Sequence, residues 1–299
     1  MATARGPLIS TAELAEMLAS SAPVAVLDVR WAMGGPAGRE QYLRGHIPGA
    51  VFLDLDADLA GEPGSRGRHP LPDPGELQSR LRAAGVCSRA MVVAYDSADG
   101  SVAARAWWLL RWAGHRAVAV LDGGFAAWEA ERRQASTSTP GPPPGDIDVV
   151  AGAMPVLDAA GAAGIARDGV LLDARAPGRY AGESEPIDPR AGHIPGARNA
   201  PFAEQVTAAG RWRSAEELAA RFAALGVTAG TTVGAYCGSG VTATSVLLAL
   251  ERAGLTDPRR PPALYAGSWS HWCADPNREV ATGHDHGTAG STSGDTAVD

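Results

Sequence analysis

Cysteine is scarce in this chain, with only Cys87, Cys237 and Cys273 among 299 residues. So few thiols, so widely scattered, exclude a disulfide-stapled secreted module and fit a reducing compartment where a thiol stays free. An excess of positive charge is also lacking: 26 Lys and Arg stand against 33 Asp and Glu, a formal charge of −7. Nucleic acid is therefore not an expected partner, because binding it needs a concentrated basic surface. Long apolar runs are absent. The longer ones, such as residues 117–121 and 246–250, are the size of a strand or a core helix and far short of a bilayer span. Residues 1–7 lead into an amphipathic stretch rather than an apolar segment with a cleavage site. A cytoplasmic protein with no membrane partner is the expectation. What remains is ordinary for a folded chain: 45% hydrophobic and 20% charged residues exclude wholesale disorder, and the length suits about two domains.

A repeat explains the length. Gly-His-Ile-Pro-Gly-Ala occurs at residues 45–50 and again at 192–197, nearly half the chain apart. Three further anchors follow in the same order in both halves. Val-Leu-Asp-Val-Arg at 26–30 matches Leu-Leu-Asp-Ala-Arg at 171–175, Val-Ala-Tyr-Asp at 93–96 matches Gly-Ala-Tyr-Cys at 234–237, and Gly-Gly-Phe-Ala-Ala-Trp at 123–128 matches Gly-Ser-Trp-Ser-His-Trp at 267–272. Two copies of one domain are expected, over residues 1–135 and 153–281. Between them, residues 136–152 open as a Pro-rich, uncharged run that favours an extended linker over packing, and residues 282–299 have little to bury and read as a flexible tail.

Within a copy, short apolar runs alternate with helical patterns. Ser10-Thr11-Ala12-Glu13 is a capping box that opens a helix reaching Ala19. Strands are expected at 24–29, 91–95 and 117–121, and a helix with a Trp- and Leu-rich face at 102–112. Strands apolar throughout and separated by helices point to an α/β fold, a parallel sheet with helices on both faces in each copy. Ligands of such sheets bind beyond the carboxyl ends of the strands. In the second half that end is occupied by Cys237-Gly238-Ser239-Gly240-Val241-Thr242, after a strand at 232–236 and before a helix at 243–253. A thiol there faces unpaired backbone N–H groups and a helix N-terminus. Both favour a thiolate and should pull a free-cysteine pKa down from about 8.5. Gly238 and Gly240 let the backbone curl around the sulfur without Cβ clashes. The first copy has Asp96 at the equivalent position. A carboxylate cannot carry a persulfide, so one copy is expected to be active and the other silent. Cys87 and Cys273 lack these surroundings and read as structural.

The doubled Gly-His-Ile-Pro-Gly-Ala, the strand-end cysteine loop, the Asp96 swap and the Gly-Ser-Trp-Ser-x-Trp ending resemble a two-domain rhodanese-type sulfurtransferase, from about Leu8 to Trp272. The resemblance implies transfer of sulfane sulfur through a cysteine persulfide to a thiol, such as reduced thioredoxin, or to cyanide, with no cofactor and no metal. Cys-Gly-Ser-Gly-Val-Thr is similar to the loop of 3-mercaptopyruvate sulfurtransferases. Thiosulfate-using members commonly carry two cations at the places of Gly238 and Ser239. The resemblance further implies a substrate site formed by Gly238, Gly240, Val241 and Thr242 with a carboxylate clamp of Arg179 and Arg190, and a proton relay of Ser239, His69 and an aspartate, either Asp54 or Asp56, with alignment favouring Asp56. Thr242 is expected to cap the loop or the helix through its hydroxyl. His46 and His193 occur once per copy whereas the thiol does not, so both read as structural. His284 and His286 read as solvated tail residues rather than metal ligands. Ala266 stands where the first copy has Asp122. The alternatives are a thiosulfate sulfurtransferase, a non-enzymatic sulfur carrier or binding module, and a phosphatase. The last is disfavoured because Ala243 occupies the place of its phosphate-holding arginine.

Overall fold

The computed structural model describes residues 6–139, 141–257 and 259–284. In the first copy, β1 (Leu8–Ile9) runs into α1 (Thr11–Ala19), whose capping box forms as the sequence dictates, with Ser10 and Glu13 satisfying each other's backbone N–H. Then come β2 (Val24–Asp28), α2 (Gly38–Arg44), β3 (Val51–Phe52), α3 (Pro74–Ala83), β4 (Met91–Tyr95), α4 (Ala103–Trp112), β5 (Val118–Leu121) and α5 (Gly124–Ala130). The second copy comprises α6 (Ala159–Asp168), β6 (Val170–Asp173), α7 (Pro177–Ala181), β7 (Arg198–Asn199), a 3-10 turn at Phe202–Gln205, α8 (Ala215–Ala224), β8 (Val233–Tyr236), α9 (Ala243–Arg252), β9 (Ala263–Leu264) and α10 (Ser268–Trp272).

Each copy builds its own all-parallel sheet, in the order β1-β5-β4-β2-β3 in the first and β7-β6-β8-β9 in the second. β2, β4, β5, β6 and β8 are buried almost throughout, as strands covered on both faces must be. On one face of each sheet lies a small core, with α1 and α5 in the first copy and α6 and α10 in the second. On the other face α3 and α4 of the first copy and α8 and α9 of the second share one continuous core that includes Trp107, Trp108, Val246 and Leu250. The two copies are therefore joined through apolar packing, with α4 lying against α9.

Two segments differ from expectation. The Pro-rich stretch after Ser136 is extended, but it packs along the first domain instead of standing clear. Ile147 is buried, Gly145 donates to the Arg82 carbonyl at 2.8 Å, and Arg82 Nε donates to the Ile147 carbonyl at 2.8 Å. Backbone groups with no ladder partner find carbonyls on α3 and the turn after it, which prolines in the run do not prevent. The start of the expected tail is likewise tied down: Gly283 donates to the Ala181 carbonyl at 2.9 Å and His284 meets Glu183 at 3.1 Å. Residues 285–299, with His286, lie outside the described residues. Among the described residues no helix is long and apolar enough to cross a membrane.

Candidate functional site

β8 delivers Cys237 to the carboxyl edge of the second sheet, and a lattice of hydrogen bonds from the start of α10 holds it. The Cys237 and Gly238 carbonyls accept from the N–H groups of Trp269 at 3.0 Å and Ser270 at 2.9 Å. The Cys237 N–H donates to Ser268 Oγ at 3.1 Å. Ser268 sits at φ +53, left-handed for a residue with a side chain, where the first copy has Gly124 at φ +55. The strain is offset by that hydroxyl, which also donates to the Tyr265 carbonyl at 2.9 Å. Ser268 was missed from sequence, although the pairing of Gly123-Gly124 with Gly267-Ser268 held the signal.

Cys237 is 2% exposed, and its sulfur accepts one backbone N–H among the described residues, that of Gly240 at 3.1 Å. A ring of several amides was expected there; that ring exists in the first copy instead. Asp96 accepts from Ala98, Gly100, Val102 and Ala103, two N–H groups on each oxygen, at 3.0 to 3.2 Å. The first-copy loop spans residues 96–102 and the second 237–242, one residue fewer, so the amides do not converge in the same way. Burial, aided by Asp99, pushes the Asp96 carboxyl up to about 6 against the pull of those N–H groups. Gly240 adopts φ +86, and a Cβ there would lie 2.3 Å from the Ala266 carbonyl oxygen, so glycine is required. Val241 is buried in the shared core. Thr242 is the N-cap residue of α9, but its hydroxyl makes no capping bond, contrary to expectation. Its backbone is helical (φ −68, ψ −14) where a capping side chain needs an extended one. The hydroxyls of Thr244 and Ser245 bond back to the Val241 and Thr242 carbonyls instead.

The first copy sends a turn across the mouth of this loop. Arg68 N–H donates to Ser270 Oγ at 3.1 Å. His69 Nδ1 lies 2.7 Å from Ser239 Oγ, and its Nε2 lies 2.8 Å from Asp56 Oδ1. Trp31 Nε1 donates to the other Asp56 oxygen at 3.3 Å. Asp54 is occupied in its own turn, accepting the N–H groups of Asp56 at 2.9 Å and Ala57 at 3.0 Å. Asp56 is thus the carboxylate that meets His69. Burial lowers the His69 pKa below its ordinary 6.5, while the Asp56 hydrogen bond and charge work the other way. The imidazole is neutral at pH 7, with Nε2–H donated to the carboxylate and Nδ1 left to accept the Ser239 hydroxyl.

Beneath the loop lies Arg105 of α4, another residue that sequence reasoning missed. It is wholly buried and donates to the carbonyls of Leu59, His69, Pro70 and Gly240 at 3.2 to 3.3 Å. Burial pulls its pKa down to about 10, opposed by attraction to a Cys237 thiolate.

The two arginines expected as a clamp part company. Arg179 stands beside the loop, with Nε and Nη2 on Glu185 at 3.1 and 2.6 Å and Nη2 also 3.3 Å from Asp188. Arg190 turns away: its Nη1 and Nη2 donate to the Asp275 and Arg278 carbonyls, both at 3.1 Å. Its own carbonyl is held by Trp269 Nε1 at 2.9 Å, which aims the side chain at the turn after α10. Arg68 of the first copy comes closer to the loop, its Nη2 lying 2.9 Å from where a Cβ on Gly238 would be. His46 and His193 are buried, each bonded through Nδ1 to a tyrosine carbonyl, Tyr42 at 2.8 Å and Tyr180 at 2.9 Å, and stacked on that ring. Cys87 is half-buried and Cys273 buried, where burial pushes its thiol up. Among the described residues no group of three His, Cys, Asp or Glu is placed to hold a metal ion.

Comparison with known proteins bears on the family and the fold. A model of the rhodanese-like domain matches twice, over residues 10–131 and 158–275. A Pseudomonas aeruginosa protein provisionally named 3-mercaptopyruvate sulfurtransferase is 47% identical over 288 residues, covering 92% of this chain and 98% of its own. A Mycobacterium tuberculosis protein provisionally named thiosulfate sulfurtransferase SseB is 42% identical over 289 residues, covering 94% and 99%. The crystal structure of SseA from Escherichia coli, a 3-mercaptopyruvate sulfurtransferase, is similar with a TM-score of 0.78 and 32% identity, covering 89% of this chain and 100% of that one.

Proposed function

Since the chain belongs to the rhodanese-like family, with two copies of its domain, we propose that it is a sulfurtransferase that takes sulfur from 3-mercaptopyruvate on Cys237 and passes it to a thiol or to cyanide. The observation that carries this reading is the chain Ser239–His69–Asp56, closed by contacts of 2.7 and 2.8 Å across the domain boundary and ending beside the cysteine. A relay of that kind suits a donor whose C–S cleavage releases an enolate in need of a proton. Thiosulfate has no carbon to protonate.

The Cys237 thiolate attacks the sulfur of the donor. The C–S bond breaks, its electron pair passes to the methylene carbon, and the donor leaves as the enolate of pyruvate. The proton of the donor's thiol crosses Ser239 to neutral His69, whose positive charge Asp56 then stabilises, and returns to the enolate carbon. Cys237 is left as a persulfide. The acceptor attacks its outer sulfur and Cys237 departs as a thiolate, restoring the enzyme. Gly238, Gly240, Val241 and Thr242 frame the space around that sulfur. Asp96 offers a measure of the room: its two oxygens are a two-atom anion in the homologous loop, comparable in extent to a sulfur with a second sulfur upon it.

The acceptor in this reading is a small thiol or a reduced thioredoxin-like protein in the cytoplasm, not a nucleic acid, consistent with the acidic charge of −7 and three free thiols. Steady-state rates with each donor test the proposal, alongside mass spectrometry for one added sulfur on Cys237. The expected result is a higher kcat/KM for 3-mercaptopyruvate. A clear preference for thiosulfate defeats the donor assignment, and a Cys237 that never gains sulfur defeats the enzyme.

A further inference from the structure

Resting on that reading, we propose that Trp31 is a positioning residue of the relay: its indole N–H holds the Asp56 carboxylate in the orientation that meets His69. The Asp56 side chain is 61% exposed, so packing alone does not fix it. One oxygen takes the His69 Nε2 hydrogen bond at 2.8 Å. The other accepts from Trp31 Nε1 at 3.3 Å, its one donor among the described residues. A carboxylate held at both oxygens cannot swing about the bond that carries it. The Trp31 ring also stands at 89° to the His69 ring, with centroids 6.3 Å apart. One side chain therefore touches both members of the Asp56–His69 pair.

Trp31 suits this task because its own place is fixed. It follows β2 by two residues, and both of those are locked. Val29 N–H donates to the Tyr95 carbonyl at 2.9 Å, and Arg30 Nη2 lies 2.6 Å from an Asp28 oxygen and donates to the Gly45 carbonyl at 2.7 Å. The half-buried indole packs against the shared core and reaches the exposed carboxylate with its N–H, the usual division of labour in a tryptophan. The second copy isolates the pair. β3 and β7 share one register, with Phe52 beside Asp28 and Asn199 beside Asp173. Counting on from there puts Ala203 at the place of Asp56, and Ala176 follows Arg175 as Trp31 follows Arg30. Both partners of the hydrogen bond are thus missing from the copy that supplies no relay histidine, while the Asp28–Arg30 lock is kept there as Asp173–Arg175. A tryptophan that served only to fold the domain would be expected in both.

A double-mutant cycle over Trp31→Phe and Asp56→Ala is the test. Phenylalanine keeps an aromatic ring and removes the N–H. With Asp56 present, Trp31→Phe should lower kcat for 3-mercaptopyruvate about fivefold, the scale of one hydrogen bond. KM should change less than about twofold, and iodoacetamide should alkylate Cys237 at the parent rate, which reports an intact fold. With Ala at position 56 the same substitution should change kcat less than about twofold, because no carboxylate is left to hold. NMR of histidine-labelled protein follows His69 without any donor. Burial lowers the His69 pKa, Asp56 raises it, and Arg105 and Arg68 lower it and are the same in all four proteins. Trp31→Phe should therefore lower the His69 pKa when Asp56 is present and leave it unmoved when Asp56 is gone. Equal effects in the two backgrounds, a change confined to KM, or a His69 pKa that ignores Trp31→Phe overturns the proposal and makes Trp31 a wall of the site. If the NMR titrations follow the cycle while kcat is indifferent to both substitutions, Trp31 positions Asp56 as proposed, and it is the relay that fails as the proton route.

Discussion

A hydrogen-bonded relay works only when each member is in the protonation state that leaves one acceptor for each donor, and His69 is the member whose state is open to pH. It must be neutral to accept from Ser239, and burial holds its pKa below 6.5. The sign follows directly. As pH falls through that lowered value the imidazole becomes doubly protonated, Nδ1 stops accepting, and turnover drops; above it the relay is intact. The acid limb of kcat should therefore lie below pH 6.5. Asp56 is the group that raises the His69 pKa, so Asp56→Asn should move the acid limb to still lower pH while kcat falls, because the imidazolium formed in turnover loses its counter-ion. Ser239→Ala should reduce kcat by about a hundredfold, the ordinary scale of a lost proton-transfer group, yet leave iodoacetamide alkylation of Cys237 near its original rate. A pH–rate profile for the three proteins checks this set. An acid limb moving upward in Asp56→Asn would show that the carboxylate does not act on His69.

At the level of elements, what was legible in sequence was whatever a local pattern encodes. The capping box at Ser10 starts α1, β4 occupies the expected residues 91–95, and the end of β8 carries the thiol. Misreadings fell where a side chain's fate is decided by another part of the chain. Thr242 has a capping residue's chemistry but a helical backbone, Arg190 is claimed by carbonyls at 275 and 278, and Arg68 comes beside the loop only because its turn lies against α10. Arg105 is the clearest case, since on the face of α4 it reads as an ordinary surface cation. Folding places it between the copies, where one guanidinium ties the carbonyls before and at Pro70 to that of Gly240. Arg105→Met should leave the His69 and Gly240 carbonyls without that donor, while Pro70 keeps the Gly61 N–H, and should remove a buried cation that interacts with Cys237. Stability should fall by about 2 kcal/mol or more, and alkylation of Cys237 by iodoacetamide at pH 7 should slow roughly tenfold, with Arg105→Lys intermediate in both. Chemical denaturation and alkylation kinetics measure the two effects separately. If Arg105→Met is destabilised but alkylates at the original rate, Arg105 is a structural brace with no influence on the sulfur.

Across the whole molecule, the duplication is also an exchange. The turn Gly67-Arg68-His69 of the first copy crosses to the second, and Gly210-Arg211-Trp212 of the second crosses to the first. There Trp212 N–H donates to Asp122 at 2.8 Å, Arg211 Nη1 donates to the Asp122 carbonyl at 2.7 Å, and the Trp212 ring presses on Gly100 of the Asp96 loop. Asp122 thus anchors the turn that crosses to the first copy, a contact that Ala266 cannot supply in the second, where Ser270 receives Arg68 instead. In the order of the two turns Trp212 stands where His69 stands, and its ring has no basic nitrogen to accept a proton. Restoring the thiol alone should therefore not restore chemistry to the first copy. Asp96→Cys in a Cys237→Ala background should give turnover of 3-mercaptopyruvate below about a hundredth of the parent rate, the ordinary scale of a missing proton-transfer group. Adding Trp212→His should recover a measurable part of that loss, because it supplies the missing acceptor at the equivalent position. Turnover by Asp96→Cys unaided would mean that the thiol was all the first copy lacked, and that neither the crossing turn nor its histidine matters to the sulfur chemistry.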